Sequence, residues 1–368
     1  MSKRTMSRIG NALFMLCLAA SGAWADGAPK SEVTPPPQPL PPQPLAPAPL
    51  GVFGADMPPA GKLILSIVPQ FLGRSTSLEG ARPVSSQEIV ATTPWFFDPR
   101  QKLRGVPQSA LQAVQTVQLA YGVTKVLSIV VGTGMTEKNL SFLTFKGLSG
   151  ITPLGMSYTG TDSISDTTAS AIWRVYEDHI NRVQVNVGMS FPTGSNHNTF
   201  TLLQPNGTYA TTRAFYAMQI GTGTFDAMPG VVYAGQLNNW SWGLSYRGRF
   251  PLAANPEGYR WGDLHEFTGW GGYSWIPGVT TTFRVTGSLE GPIRGFDWNI
   301  AGKAQAANPN FYGGQRVELF GGATISGKLV GYENVLLAIE AGLPVYQNLN
   351  GPQLSKAWQA GLALRFKI

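Results

Sequence analysis

Residues able to support catalysis or to bind a metal are few in this chain. There are three histidines, His179, His197 and His265, and one cysteine, Cys17. No serine lies at a matching position beside His265 on a predicted neighbouring strand, and the histidines do not follow metal-ligand spacings. The chain also lacks the G-x-S-x-G, phosphate-loop and dinucleotide motifs. We therefore expect no catalytic residue, no metal and no cofactor, and a hydrolase is the least favoured function.

Charged residues form a larger group, and many recur at every second position of extended segments. Residues 181–191 alternate between apolar and polar side chains, and so do residues 239–250 and 279–291. Because successive side chains of a strand point to opposite faces, each segment has one apolar and one polar face. The charged residues on the predicted polar faces are Arg174, Arg182, Asp226, Arg247, Arg249, Glu266, Arg284, Glu290, Arg316, Glu318, Glu340 and Arg365.

The elements that must position these charges are strands with an apolar outer face and a polar inner face. A transmembrane β-barrel has this pattern, since in lipid every backbone polar group must be paired within a closed sheet. Links between the predicted strands alternate between short and long, which favours a barrel over a sandwich. The predicted fold is all-β: an antiparallel transmembrane β-barrel of about 12 strands. The predicted strands are residues 62–73, 110–121, 124–135, 167–178, 181–191, 223–235, 239–250, 262–275, 279–291, 315–327, 333–346 and 356–368.

Aromatic residues near the ends of these strands indicate two membrane interfaces. Trp and Tyr are enriched at the boundary between lipid and water, whereas in a soluble protein the same residues would belong to the core. The predicted girdles comprise Tyr121, Tyr233, Trp240, Trp242 and Trp275 near the short links, and Phe191, Phe250 and Trp358 near the long ones.

The first 60 residues have a different composition from the rest. Lys3, Arg4 and Arg8 precede an apolar run, and small residues at positions 23 and 25 predict a signal peptide over residues 1–25. Residues 26–60 contain 12 prolines. Such a composition favours solvated polyproline II and predicts a disordered periplasmic tether, with or without a periplasmic partner. The barrel is then predicted over residues 61–368.

The charge balance argues against a nucleic-acid partner. Without the signal peptide the chain has 24 Lys and Arg against 20 Asp and Glu, and these charges are spread along the sequence. A nucleic-acid-binding protein usually carries a clustered basic patch. The expected partners are outer-membrane lipid and a small-molecule solute.

Three motifs resemble a known family. They are residues 189–195 (MSFPTGS), 218–230 (MQIGTGTFDAMPG) and 342–354 (GLPVYQNLNGPQL). They are similar to the outer-membrane transporter family named for the meta-pathway of phenol degradation, and the likeness covers roughly residues 165 to 368. The resemblance implies a β-barrel and, by the family name, passage of aromatic compounds. Two departures are the absence of Met-rich early strands and the terminal Ile368 in place of phenylalanine.

The sequence therefore favours a passive outer-membrane channel for small solutes. Aromatic solutes are implied by the resemblance, and anionic solutes by the excess of arginine on the polar faces. The alternative is that the charges fill the barrel as a salt-bridge ladder, in which case the chain is a plugged anchor or an interaction scaffold. Solute flux distinguishes the two.

Overall fold

The computed structural model describes residues 46–368. The signal peptide over residues 1–25 and the first part of the proline-rich segment, residues 26–45, lie outside the described residues. Those predictions therefore stay predictions.

Nearly all the regular structure is antiparallel β-sheet. One seven-residue helix, α1 (Ser86–Thr92), and four short 3-10 helices interrupt it. The 3-10 helices are Tyr216–Met218, Gln305–Ala307, Pro309–Phe311 and Gly327–Val330. The strands are β1 (Leu63–Gly80), β2 (Arg82–Pro83), β3 (Gly105–Gly122), β4 (Leu127–Phe145), β5 (Pro153–Ile164), β6 (Thr167–Glu177), β7 (Asn181–Phe191), β8 (Thr199–Leu203), β9 (Tyr209–Arg213), β10 (Asp226–Leu237), β11 (Trp240–Pro251), β12 (Tyr259–Arg260), β13 (Leu264–Ile276), β14 (Val279–Glu290), β15 (Arg294–Gly295), β16 (Gly314–Ser326) and β17 (Val335–Lys367).

The sheet closes into a barrel because its first and last strands pair. Ile64 of β1 lies opposite Lys367 of β17, and the other strands of the ring pair in the order β3, β4, β6, β7, β10, β11, β13, β14 and β16. Within the described residues, eleven strands form the closed ring, and β2 and β5 are bonded outside it. The predicted fold class is confirmed.

The last strand, β17, crosses the barrel twice. Its part up to Leu349 pairs with β16, and its part from Gln353 onward pairs with β1. At about 3.3 Å per residue a straight run of this length would be roughly 110 Å long, far more than the height of a barrel. Lys367 N donates to Asn334 O at 2.8 Å, so the two ends of β17 meet. The eleven strands thus make twelve crossings, the number that the sequence predicts.

The two ends of the barrel differ in their connections. At one end, the turn end, links such as 178–180 and 277–278 are short; at the other, the loop end, the links are long and carry β8, β9, β12, β15 and α1. Strands β1 and β4 extend seven to ten residues past the predicted ends at 73 and 135. The prediction ended them too early because both faces of these extensions carry polar residues, so the alternation of apolar and polar positions is lost there although the pairing continues.

The two faces of the barrel wall follow the predicted alternation. In β7, Arg182, Gln184 and Asn186 are buried inside, while Val187 on the outer face is 68% exposed. In β14, threonines and Arg284 face inward and Phe283 and Leu289 face outward. An exposed apolar belt around a closed sheet suits a lipid environment, which needs no polar partners from the protein surface. No helix in residues 46–368 is long and apolar enough to cross a membrane.

The residues of the predicted aromatic girdles lie on the outer wall, at or near the two ends of the barrel. Tyr121, Trp240, Trp275 and Trp358 are exposed, between 44% and 63%. The structure places Tyr233, Trp242, Phe191 and Phe250 half-buried against their neighbours. For example, Trp242 Nε1 donates to Tyr233 Oη at 3.2 Å.

The loops at the loop end pack into an apolar cap above the barrel. Phe142, Phe200, Phe215, Tyr216 and Tyr259 form its centre, with aromatic ring centroids 4.9 to 5.4 Å apart. A second apolar cluster holds α1 against β3 and β4. These clusters fix the position of loops that would otherwise be free over the entrance.

Candidate functional site

Residues 46–60 lie inside the barrel; we call them the lumen segment. The sequence assigned them to the tether, but the structure places them against the inner wall at the turn end. Ala46 N donates to Gln236 Oε1 at 2.7 Å, beside the short link after β10, and the segment leaves the lumen where Ala60 pairs with Gly122. The segment therefore occupies part of the path between the two ends.

An apolar patch on the inner wall receives the lumen segment. Ala48, Val52 and Ala55 pack against Val232, Ala234 and Trp270, which are inward-facing residues of β10 and β13. Burying this surface removes apolar area that would otherwise face water in a polar lumen. The patch explains why the segment stays inside.

Polar contacts fix the segment on either side of that patch. Gly51 N donates to Glu340 Oε2 at 3.2 Å, and Asp56 Oδ2 accepts from Arg365 Nη1 at 2.6 Å. The amide of Gln184 donates to the carbonyls of Gly54 and Ala55 at 2.9 and 3.1 Å. Gly54 has φ +85°, and a side chain there would collide with Asn186, so glycine is required at this close approach.

The strongest ion pair of the lumen joins Arg284 and Glu340. Arg284 donates from Nε and Nη2 to the two carboxylate oxygens at 2.9 and 2.7 Å, and both side chains are only 5 to 6% exposed. The guanidinium also stacks 3.8 Å from the ring centroid of Phe320. This bidentate geometry makes the pair rigid.

The structure places all twelve predicted lumen residues on the inner face of the described barrel. Eleven of them take part in ion pairs, and buried Arg182 lies in the electrostatic field of Asp56 without a direct pair. The remaining pairs are Arg174–Glu177 at 2.8 Å, Arg247–Glu266 at 3.2 Å, Arg249–Asp226 at 3.8 Å, Arg249–Glu290 at 3.9 Å, Arg316–Glu290 at 3.6 Å, Glu318–Lys356 at 2.8 Å and Arg365–Asp56 at 2.6 Å.

Sequence reasoning missed four charged residues of the lumen: Asp56, Arg74, Lys138 and Lys356. Arg74 and Lys138 lie just past the predicted ends of their strands, and Asp56 belongs to the segment assigned to the tether. Counting two residues at a time beyond those ends would have placed Arg74 and Lys138 on the inner face.

The lumen segment does not fill the whole cross-section. A space of about 1300 Å³, counting its open ends, separates it from the wall formed by β1, β3 and β17. Ser66, Gln70, Thr116 and Gln118 line that wall. A polar space therefore remains beside the segment.

A second space, which we call the upper pocket, opens below the apolar cap. It measures about 960 Å³ with its mouth. Its apolar lining includes Leu72, Leu140, Phe215, Met218, Trp261 and Leu354, and its charged lining is Arg74, Lys138, Glu290 and Arg316. Because it lies under the cap, the upper pocket is at the loop-end entrance to the lumen.

We expect the cap to lose stability in alkali. Burial raises the pKa of Tyr216 to about 12 and raises the pKa values of Tyr259 and Tyr312 as well. The folded protein then binds more protons than the unfolded chain above pH ~10, so stability that is complete below that pH falls as the pH rises toward 12.

An alkaline titration of tyrosinate absorbance checks this expectation. Three tyrosines should ionise late and together with loss of near-ultraviolet circular dichroism from the cap, whereas all should ionise together near pH ~10 in urea. A single transition near the ordinary value in the folded protein would contradict it.

The histidines have no hydrolase arrangement. His265 Nδ1 lies 3.0 Å from Tyr246 Oη, and His197 Nε2 lies 2.6 Å from Glu257. Within residues 46–368 no imidazole hydrogen-bonds a serine hydroxyl, and no group of three or more His, Cys, Asp or Glu side chains is placed to hold a metal.

Solved structures of outer-membrane channels resemble this chain. An outer membrane channel from Pseudomonas putida F1 matches with a TM-score of 0.53 at 14% identity, over 84% of this chain and 96% of that one. The P. putida toluene transporter TodX matches over 84% of this chain and 91% of its own, but at 8% identity and a TM-score of 0.43 this likeness is too distant to support an argument. No protein-family model and no curated protein matches the sequence. At such identities, the shared property is the fold: a β-barrel of the outer-membrane type.

Proposed function

We propose that this protein is an outer-membrane channel for small solutes, exported by a signal peptide and narrowed by its own lumen segment. The observation that carries the proposal is the closed barrel with an apolar outer belt and a polar interior, in which a polar space remains beside residues 46–60. The turn end would face the periplasm and the loop end the outside, as barrels of this kind place their long loops.

The solute class and the family belong to the same proposal. The motifs within residues 165–368 favour the transporter family of the meta-pathway of phenol degradation, whose name suggests aromatic solutes. Arginine on the inner wall favours anions. Any periplasmic partner would bind the proline-rich residues that precede the lumen segment.

Single-channel recording in a planar bilayer tests the proposal. We expect small, discrete conductance steps from the purified, folded protein, with anions preferred over cations. The preference should weaken in an Arg247→Gln variant, because Arg247 lines the polar space beside the lumen segment. Heat-modifiable gel migration shows whether the barrel is intact.

A folded barrel that stays silent both with and without the lumen segment would overturn the channel. In that case, the anchor or scaffold becomes the better function, since the ion pairs of the wall would then fill the lumen.

A further inference from the structure

Two cations of the upper pocket lack a carboxylate partner. The side chain of Arg74 forms no hydrogen bond and no ion pair with any residue in the described part of the chain. It lies within the electrostatic reach of Arg316, Glu290 and Glu318. Lys138 Nζ donates only to two backbone carbonyl oxygens, those of Ala217 at 2.8 Å and Gln219 at 2.7 Å. Elsewhere in the lumen most charges are paired, so these two differ from the rest of the wall.

Glu290, the acid that lines the upper pocket, does not neutralise them. Glu290 is shared between Arg316 at 3.6 Å and Arg249 at 3.9 Å, and Arg316 Nε has no partner. The charged residues lining the upper pocket are three cations and one anion, a net charge of +2. A partly enclosed space with an uncompensated positive charge attracts an anion.

The remainder of the pocket favours an apolar body. Leu140, Phe215 and Met218 are buried in the cap and present side chains to the pocket, and Trp261 packs against the same cluster. This lining, mostly apolar with a few charged groups, matches that of small-molecule sites, in which a few polar groups fix the orientation of the ligand.

We propose that the upper pocket binds an amphipathic organic anion: a monocarboxylate with an aromatic ring system or a compact hydrocarbon body. The carboxylate pairs with Arg74, whose guanidinium can hold both oxygens, and with the free donor of Lys138. The apolar body lies against Phe215, Met218 and Trp261. The proposed ligand defines the solute class of the channel, so its biological meaning rests on the proposed function. Binding itself does not require transport.

Other classes of ligand fit less well. A neutral hydrocarbon would bury the apolar wall but leave both cations uncompensated, and a small inorganic anion would leave the wall exposed to water. Only a molecule with both an anionic group and an apolar body matches the cations and the apolar lining of the pocket.

The test is isothermal titration calorimetry on the full mature chain in detergent, with 2-naphthoate, its neutral analogue 2-naphthamide, and acetate as probes. We expect one 2-naphthoate per chain, at least tenfold weaker binding of the amide, and no binding of acetate in the same range. Arg74→Met should weaken 2-naphthoate at least tenfold and Lys138→Met severalfold. Arg100→Gln, which removes a cation from an exposed loop position, should change nothing.

Each result decides the proposal. Equal binding of acid and amide, or an Arg74→Met barrel that binds 2-naphthoate as the parent does, would overturn it. If Arg74→Met fails to fold, the comparison of acid with amide and the Lys138→Met variant still decide. Binding without any single-channel current would refute the channel and leave the site, whereas current without binding would refute the site and leave the channel.

Discussion

A chain lacking residues 26–60 should conduct several-fold more current per channel than the chain that retains them. The lumen segment occupies the turn end of the barrel, and its removal joins the polar space beside it to the volume it fills. Conductance of a wet pore rises with its open cross-section. The barrel itself should persist, because the first strand begins only at Leu63 and the ring pairs without residues 46–60.

The matched control removes only residues 26–45. That variant keeps the lumen segment with its contacts to Glu340 and Arg365, so its conductance should equal that of the parent. Asp56→Asn, which weakens the contact with Arg365 and removes the negative charge near Arg182, should give brief openings to the larger level. If the longer deletion folds, as judged by heat-modifiable migration, and conducts no better than the parent, the lumen segment does not limit the path.

Neutralising Glu340 should give the largest loss of stability among the wall residues. Glu340→Gln leaves the buried Arg284 charged and without its carboxylate, and such broken pairs cost about 3 to 5 kcal/mol. Both side chains are nearly inaccessible, so water cannot replace the lost partner. The free energy of unfolding, measured by urea titration in lipid vesicles, should fall by about 3 kcal/mol.

The matched control is Glu177→Gln at the rim of the turn end. Glu177 is 44% exposed and pairs with Arg174 at 2.8 Å, so its loss should cost about 1 kcal/mol or less. A double Arg284→Met, Glu340→Met variant should recover much of the stability, since it leaves no buried charge. Equal costs for Glu340→Gln and Glu177→Gln would show that the lumen is wet enough to screen the inner pair. Repeating the measurement without residues 26–60 separates this effect from the contact with Gly51.

The sequence predicts the barrel well because the wall obeys one local rule. Lipid outside and polar groups inside force a two-residue period, which residues 181–191 and 279–291 show in full. The register of β16 with β17 shifts beside Pro344, with Val317 opposite Tyr346 and Glu318 opposite Pro344.

The content of the lumen could not be predicted in the same way. Proline-rich residues have no periodic signal, and a segment held by scattered contacts with distant strands has the composition of a solvated tether. Within the segment, the apolar residues Leu50, Val52 and Phe53 are atypical of a purely solvated tether. Likewise, Arg74 and Lys138 were assigned to the inner face only from the structure, because their strands continue beyond the apolar belt.

The pairing of β1 with β17 also sets the order of events during biogenesis. Ile64 and Lys367, which meet at the seam, are separated by nearly the whole chain, so ring closure must wait until the C-terminal residues have been synthesised and delivered. Two of the groups that hold the lumen segment, Glu340 and Arg365, belong to this last strand. The full set of contacts that holds the segment is therefore complete only when the last strand is in place, so the narrowing of the lumen and the closure of the ring depend on the same C-terminal residues.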